Sequence, residues 1–222
     1  MRDIKICGID SVKTAVHAGN SGATMVGMVM GVPESPRNLE HESARKMALQ
    51  IPHPVKIVLV CRTLSNKILE HASTICHDYL QFHDVRSIHL LDTREHACRS
   101  RCIIGIDYYV DEPKLAMIGN FIENQDILLL DGSQGSGKQL VPSQLHETFD
   151  MLEHALGLRA SDVMVAGGFD VENIETFLDS WNPRGVDASS GLEREPGVKD
   201  LNLIEQFCKI IRNHDQPGER HT

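Results

Sequence analysis

The stretch Val163–Gly191, VMVAGGFDVENIETFLDSWNPRGVDASSG, decides the fold. It opens on four apolar residues, Val163-Met164-Val165-Ala166, and breaks at Gly167-Gly168. It then runs through Val171–Trp181 at helical spacing and returns to a second short run, Gly185-Val186-Asp187-Ala188, before Ser189-Ser190-Gly191. A short run that is apolar throughout suits a parallel strand buried on both faces, and parallel neighbours need a crossover that is usually helical. The stretch therefore reads as one strand–helix–strand unit with a glycine-rich turn after each strand.

The same rhythm extends toward both ends of the chain. Further candidate strands are Ile4–Cys7, Met25–Met30, Lys56–Val60, Tyr79–His83, Cys102–Asp107 and Ile127–Asp131. Candidate helices are Ser11–Gly19, Leu39–Gln50 (stopped by Pro52 and Pro54), Leu64–Cys76, Asp111–Glu123 (with Asp111 as N-cap and an early Pro113), Pro142–Leu156 and Asp200–Asn213. One short helix is expected within the polar stretch Asp84–Arg101. Eight strands with helices between them in 222 residues fit a single-domain (β/α)8 TIM barrel over residues 1–214, followed by a polar tail over 215–222. An open doubly wound α/β sheet has the same periodicity.

Composition narrows the function classes. The net charge is -9, which argues against nucleic acid as a partner, because phosphate backbones select basic surfaces. No apolar run approaches the roughly 20 residues that span a bilayer, so no membrane association is expected. The six cysteines, Cys7, Cys61, Cys76, Cys98, Cys102 and Cys208, form no CxxC pair and read as reduced thiols of a cytoplasmic protein. His71, Cys76, His77 and His83 fit no zinc spacing, and no metal is expected.

In a barrel the chemistry sits at the C-terminal ends of the strands. Reactive or ligand-binding residue types gather there: Cys7-Gly8, Pro33–Arg37, Gln81-Phe82-His83, Asp131 followed by Gly135-Ser136-Gly137-Lys138, Gly167-Gly168, and Asp187 through Gly191. A phosphate needs several N–H donors, close backbone approach and a favourable helix dipole, which Gly167, Gly168, Ser189, Ser190 and Gly191 can supply. Cys7 and Asp131 form a candidate acid–base pair, since proton transfer needs one group to take a proton and another to give one. Gly135-Ser136-Gly137-Lys138 lacks the GxxxxGK[ST] pattern of a nucleotide P-loop and reads as an active-site loop. Lys5 and Lys56 stand early in their strands, which disfavours a Schiff-base aldolase. A non-catalytic phosphate binder would need neither Cys7 nor Asp131.

Six blocks of sequence resemble the phosphoribosylanthranilate isomerase family. They are Lys5-Ile6-Cys7-Gly8-Ile9, Val32–Arg37, Leu80–His83, Leu128–Asp131 with Gly135–Lys138, Ala166–Ile174, and Gly185–Glu193 with Pro196–Asp200. The resemblance implies a cofactor-free Amadori rearrangement of a small phosphoribosyl substrate in tryptophan biosynthesis. It makes Asp131 the general acid and Cys7 the general base, with Arg37 positioning the anthranilate carboxylate. His83, Asp187, Gly135 and Gly137 then line the substrate pocket, and Gly167, Gly168, Ser189, Ser190 and Gly191 hold the phosphate. The chain is expected as a monomer or a homodimer. It departs from the family at Asp84, where Gly usually follows the histidine, and at Leu140-Val141-Pro142, where Phe-Asp-Trp is frequent.

Overall fold

Eight parallel strands are ordered β1 (Asp3–Cys7), β2 (Met25–Val29), β3 (Lys56–Val60), β4 (Tyr79–Phe82), β5 (Arg101–Ile106), β6 (Ile127–Asp131), β7 (Val163–Ala166) and β8 (Gly185–Ala188). Each pairs with the next, and β1 also pairs with β8 through Asp3↔Gly185, Ile4↔Val186, Lys5↔Asp187 and Ile6↔Ala188. That last ladder closes the sheet and excludes the open-sheet alternative. The computed structural model describes residues 2–92, 101–123, 125–132 and 142–216.

The helices are α1 (Val12–Ser21), α2 (His41–Ala48), α3 (Asn66–Ser73), α4 (His89–Asp92), α5 (Glu112–Phe121), α6 (Pro142–Leu156), α7 (Ile174–Ser180) and α8 (Leu201–Asp215). Their limits differ from the sequence expectations, and side-chain caps account for some of the differences. Ser11 accepts from the Thr14 N–H, and α1 continues past Gly19 to end on Gly22, whose φ of 109° only glycine adopts without strain. Ser65 caps α3 in the same way, which starts that helix two residues after Leu64. The polar stretch after β4 holds a 3₁₀ turn, Val85–Ile88, capped by Asp84, and then the four-residue α4. Asp215, assigned from sequence to the tail, is the last residue of α8. It accepts from the Arg2 backbone N–H at 3.0 Å and pairs with the Arg2 guanidinium at 3.3 Å.

Alternate strand residues divide between two apolar cores. Ile4 and Ile6 pack outward against the helices. Lys5 and Cys7 lie on the opposite face of β1, toward the barrel axis, as the period of two requires. The axis is filled chiefly by Met25, Val58, Ile103, Ile127, Leu129 and Met164.

One element escaped the sequence analysis. β9 (Glu193–Glu195) and β10 (Val198–Lys199) form a small antiparallel hairpin after β8. The Pro196-Gly197 pair at its turn is the signal that could have found it, and Gly197 has a φ of 84°.

Candidate active site

A cavity of about 920 Å3 opens at the C-terminal ends of the strands. It brings together Cys7, Arg37, His83, Asp131, Gly167, Gly168, Asp187, Ser189 and Ser190. Gly191 does not line it. A Cβ there would collide with the Phe169 carbonyl, so glycine lets the loops after β7 and β8 close against each other. Gly135 and Gly137 lie outside the described residues, as does Cys98.

The loop after β7 is shaped by its own polar side chains. Asp170 Oδ1 accepts from the N–H groups of Glu172 and Asn173 at 2.9 and 3.0 Å. Asn173 Nδ2 donates to the Gly168 carbonyl at 2.9 Å, and its Oδ1 accepts from the Asp170 N–H at 3.1 Å. This turn occupies residues 171–173, which is why α7 starts at Ile174 rather than Val171. It also fixes Gly167 and Gly168 at φ of 141° and 67°, a backbone conformation that side chains resist.

The loop after β8 is tied to β1 from above and to the hairpin from below. Ser189 Oγ donates to the Cys7 carbonyl at 3.1 Å. Lys199 Nζ donates to the Ser189 carbonyl at 2.9 Å and reaches its hydroxyl at 3.3 Å. The Ser189 hydroxyl is thus engaged in holding its own loop.

Arg37 is held rather than loose. Its Nε and Nη2 donate to the two carboxylate oxygens of Glu193, each at 2.7 Å. Glu193 Oε1 also accepts from Lys199 Nζ at 2.7 Å, and Oε2 accepts from the Gly197 N–H at 3.1 Å. Burial pushes this carboxyl up, but the bonds from Arg37 and Lys199 prevail and bring it down to about 2. Two guanidinium nitrogens are therefore committed to the hairpin, and Nη1 is not. Glu193 and Lys199 were not singled out from the sequence. Both lie in blocks that carry the family resemblance, but nothing local marks them as functional.

On the far side of the cavity, His83 leans across Gly105, where a Cβ would overlap the imidazole. Its Nδ1 lies 3.9 Å from Asp131 Oδ2. Burial lowers the His83 pKa despite the nearby Asp131 carboxylate. Asp131 is 7% exposed at the end of β6. Cys7 sits at the end of β1. In the ring of strands, β7 and β8 with their glycine- and serine-rich loops stand between the thiol and the carboxyl.

Beneath Cys7 lies a group placed elsewhere by the sequence analysis. Lys5 is 0% exposed, and its Nζ meets Asp187 Oδ2 at 2.7 Å. The Cα of Lys5 is early in its strand, but its four-carbon stem carries the ammonium up to the floor of the site. Burial works to lower the Lys5 pKa, yet the Asp187 carboxylate and the Cys7 sulfur together raise it. A lysine held charged is no nucleophile, which removes the Schiff-base reading on chemical grounds. Among the described residues, no group of three or more His, Cys, Asp or Glu is placed to hold a metal ion.

Comparison with known proteins identifies the family and the barrel. Residues 4–210 match the family model for N-(5'phosphoribosyl)anthranilate (PRA) isomerase. The N-(5'-phosphoribosyl)anthranilate isomerase of Sinorhizobium fredii is 32% identical over 218 residues, covering 95% of this chain and 93% of that protein. A dimeric phosphoribosylanthranilate isomerase from Thermotoga maritima, solved as mutually generated monomers, superposes with a TM-score of 0.75 at 28% identity, covering 96% of this chain and all of that one. A phosphoribosylanthranilate isomerase in complex with reduced 1-(o-carboxyphenylamino)-1-deoxyribulose 5-phosphate gives a TM-score of 0.73 at 27% identity, covering 96% of this chain and 100% of that one.

Proposed function

Because the chain belongs to the N-(5'-phosphoribosyl)anthranilate isomerase family, we propose that it converts that aminoaldose to 1-(2-carboxyphenylamino)-1-deoxyribulose 5-phosphate, with Cys7 and Asp131 as its two proton-transfer groups. It is an isomerase of tryptophan biosynthesis on a closed barrel. The observation that carries the assignment of roles is the placement of Cys7 and Asp131 in one cavity, separated by the loops after β7 and β8.

The substrate has an anion at each end. Its phosphate seats on the loops of Gly167-Gly168 and Ser189-Ser190, which line the cavity and whose glycines allow close backbone approach. Gly191 serves by bringing the two loops together. The anthranilate carboxylate meets Arg37, whose fork is already oriented by Glu193, so little rotamer entropy is lost on binding. His83 and Asp187 line the space between. Gly135 and Gly137, on the loop after Asp131, complete the pocket in this reading.

The proton balance then follows. Asp131 in its acid form protonates the ring oxygen, the C1–O bond breaks, and an iminium forms between C1 and the anthranilate nitrogen. Cys7 as thiolate takes the C2 proton, giving a neutral enolamine. The same sulfur returns that proton to C1 while the C2 hydroxyl gives its proton to the Asp131 carboxylate. The ketone forms, and both groups regain their starting states, so no cofactor is called for.

We place the protein in the cytoplasm, acting as a monomer or a homodimer. No disulfide joins the five described cysteines, in keeping with a reducing compartment. No helix among the described residues is long and apolar enough to cross a membrane.

The test is turnover of freshly generated phosphoribosylanthranilate, followed by loss of its fluorescence, with Cys7→Ala and Asp131→Ala beside the wild type. Each substitution is expected to cut kcat by about 10²–10⁴-fold, the usual contribution of a general acid or base. Near wild-type turnover by either variant would remove that residue from the role.

A further inference from the structure

The catalytic scheme leaves one buried charge without a task. Below the site the barrel axis is apolar, filled by Met25, Ile103, Ile127, Leu129 and Met164. Lys5 and Asp187 interrupt it with an ion pair of 2.7 Å, the lysine fully buried and the aspartate 7% exposed. Taking two charges out of water is costly, and a buried pair is seldom more stable than apolar side chains of the same volume. Packing alone therefore gives no reason for a lysine at this depth.

The neighbours of its ammonium supply one. Lys5 and Cys7 share the inward face of β1, two residues apart. Both converge on Gly27 of the adjacent strand. A Cβ at Gly27 would stand 3.0 Å from Cys7 Sγ and 3.3 Å from Lys5 Nζ. Glycine at this position leaves the sulfur and the ammonium room to lie together. Asp187 Oδ2 takes a bond from the ammonium on its other side, which makes a desolvated cation tolerable and keeps it protonated.

We propose that Lys5 is a positioning residue for the isomerisation: anchored by Asp187, its ammonium is the fixed positive charge beneath Cys7 that stabilises the anionic sulfur. This rests on the reading of Cys7 as the base. Lys5 gains and loses no proton during turnover. The other charged groups acting on the sulfur are Arg37 from the loop after β2, Lys199 from β10 and Asp187 from β8. Burial pushes the Cys7 thiol up, and Lys5 is the largest influence acting against that rise. Lys5 is also the only one of the three cations that comes from the same strand as the sulfur, so its position relative to Cys7 does not depend on any loop.

The experiment follows alkylation of Cys7 by iodoacetamide across a pH series, reading the Cys7 peptide by mass spectrometry so that the other cysteines do not interfere. Wild type is compared with Lys5→Met, which keeps the volume and removes the charge. The rate–pH curve of Cys7 is expected to move up by about one unit, making the reaction about tenfold slower at neutral pH. The kcat for the aminoaldose falls by a similar factor, while KM changes by less than about threefold because neither anion site is touched. The second variant, Lys5→Met with Asp187→Asn, leaves no uncompensated buried charge if the single variant does not fold. Its curve is expected to move in the same direction by a smaller amount, since the opposing Asp187 charge is also gone. A Cys7 curve that coincides with wild type in either folded variant overturns the proposal. An active Cys7→Ala would instead refute Cys7 as the base, and the alkylation shift would remain as a separate observation.

Discussion

Arg37 and Glu193 form a two-pronged ion pair with both contacts at 2.7 Å, and the carboxylate end is 4% exposed. The arginine proposed to meet the substrate is thus oriented by the hairpin of β9 and β10, on the opposite side of the chain from its own loop. Glu193→Gln keeps one acceptor but loses the charge and the fork. It is expected to raise KM for phosphoribosylanthranilate by about tenfold, with kcat altered by less than about threefold. Steady-state kinetics decide this, and an unchanged KM would mean that Arg37 does not depend on Glu193 for its orientation.

The same carboxylate sets a pH dependence of stability. Its folded-state pKa of about 2 lies below the ordinary 4.5. A depressed carboxyl stabilises the fold fully above its unfolded value and loses that contribution as pH falls through the folded one. The Tm difference between wild type and Glu193→Gln is therefore largest above about pH 4.5 and shrinks toward pH 2. Thermal melts in a buffer series check the sign, and a gap that widens on acidification would contradict it.

Gly191 makes a sharper case than the glycines that face the cavity. Its missing Cβ is what allows the Phe169 carbonyl to approach. Gly191→Ala is expected to force the loops after β7 and β8 apart and weaken binding of inorganic phosphate by tenfold or more, about 1.4 kcal/mol. Calorimetric titration with phosphate reads this directly, and wild-type affinity would show that the two loops do not act together.

Arg2 is buried, and it joins the start of the barrel to the end of α8. Its Nη2 donates to Asn182 Oδ1 at 2.8 Å, and its Nη1 pairs with Asp215 at 3.3 Å. Asp215→Ala leaves a desolvated guanidinium short of its charged partner, at a cost of about 1–3 kcal/mol. A drop of several degrees in Tm is expected, without change in KM, because the pair lies away from the cavity. An unaltered melting curve would show that water replaces the carboxylate.

The strands were legible because burial on both faces leaves short, mostly apolar runs, and Val163–Ala166 and Gly185–Ala188, the latter interrupted by Asp187, match their expected limits to the residue. Helix ends were less so. Ser65 starts α3 by a hydrogen bond that competes with helical continuation, and Asp170 with Asn173 turns the chain before α7 can begin. Periodicity contains neither effect. In the cavity, Cys7, Asp131 and the glycine loops were legible because their residue types stand at strand ends, and Arg37 because it follows β2 in a block that carries the family resemblance. Lys5 was not, because its strand position gives the depth of its Cα and not of an ammonium at the end of a long stem. Glu193 and Lys199 were missed because their partner, Arg37, is distant in sequence and becomes a neighbour only when the barrel closes.

That closure has a consequence for synthesis. Cys7 comes from β1, and Asp187, Ser189 and Lys199, which are linked to that strand and to one another, come from the last sixth or so of the described chain. A nascent chain paused before Gly185 carries Cys7 on a strand with one open edge, without Asp187 to pair with Lys5 and without the loop whose Ser189 hydroxyl bonds the Cys7 carbonyl. The residue proposed as the base is therefore made well before β8 closes the ring of strands beside it, and the interval between is the time the ribosome takes to deliver the intervening chain.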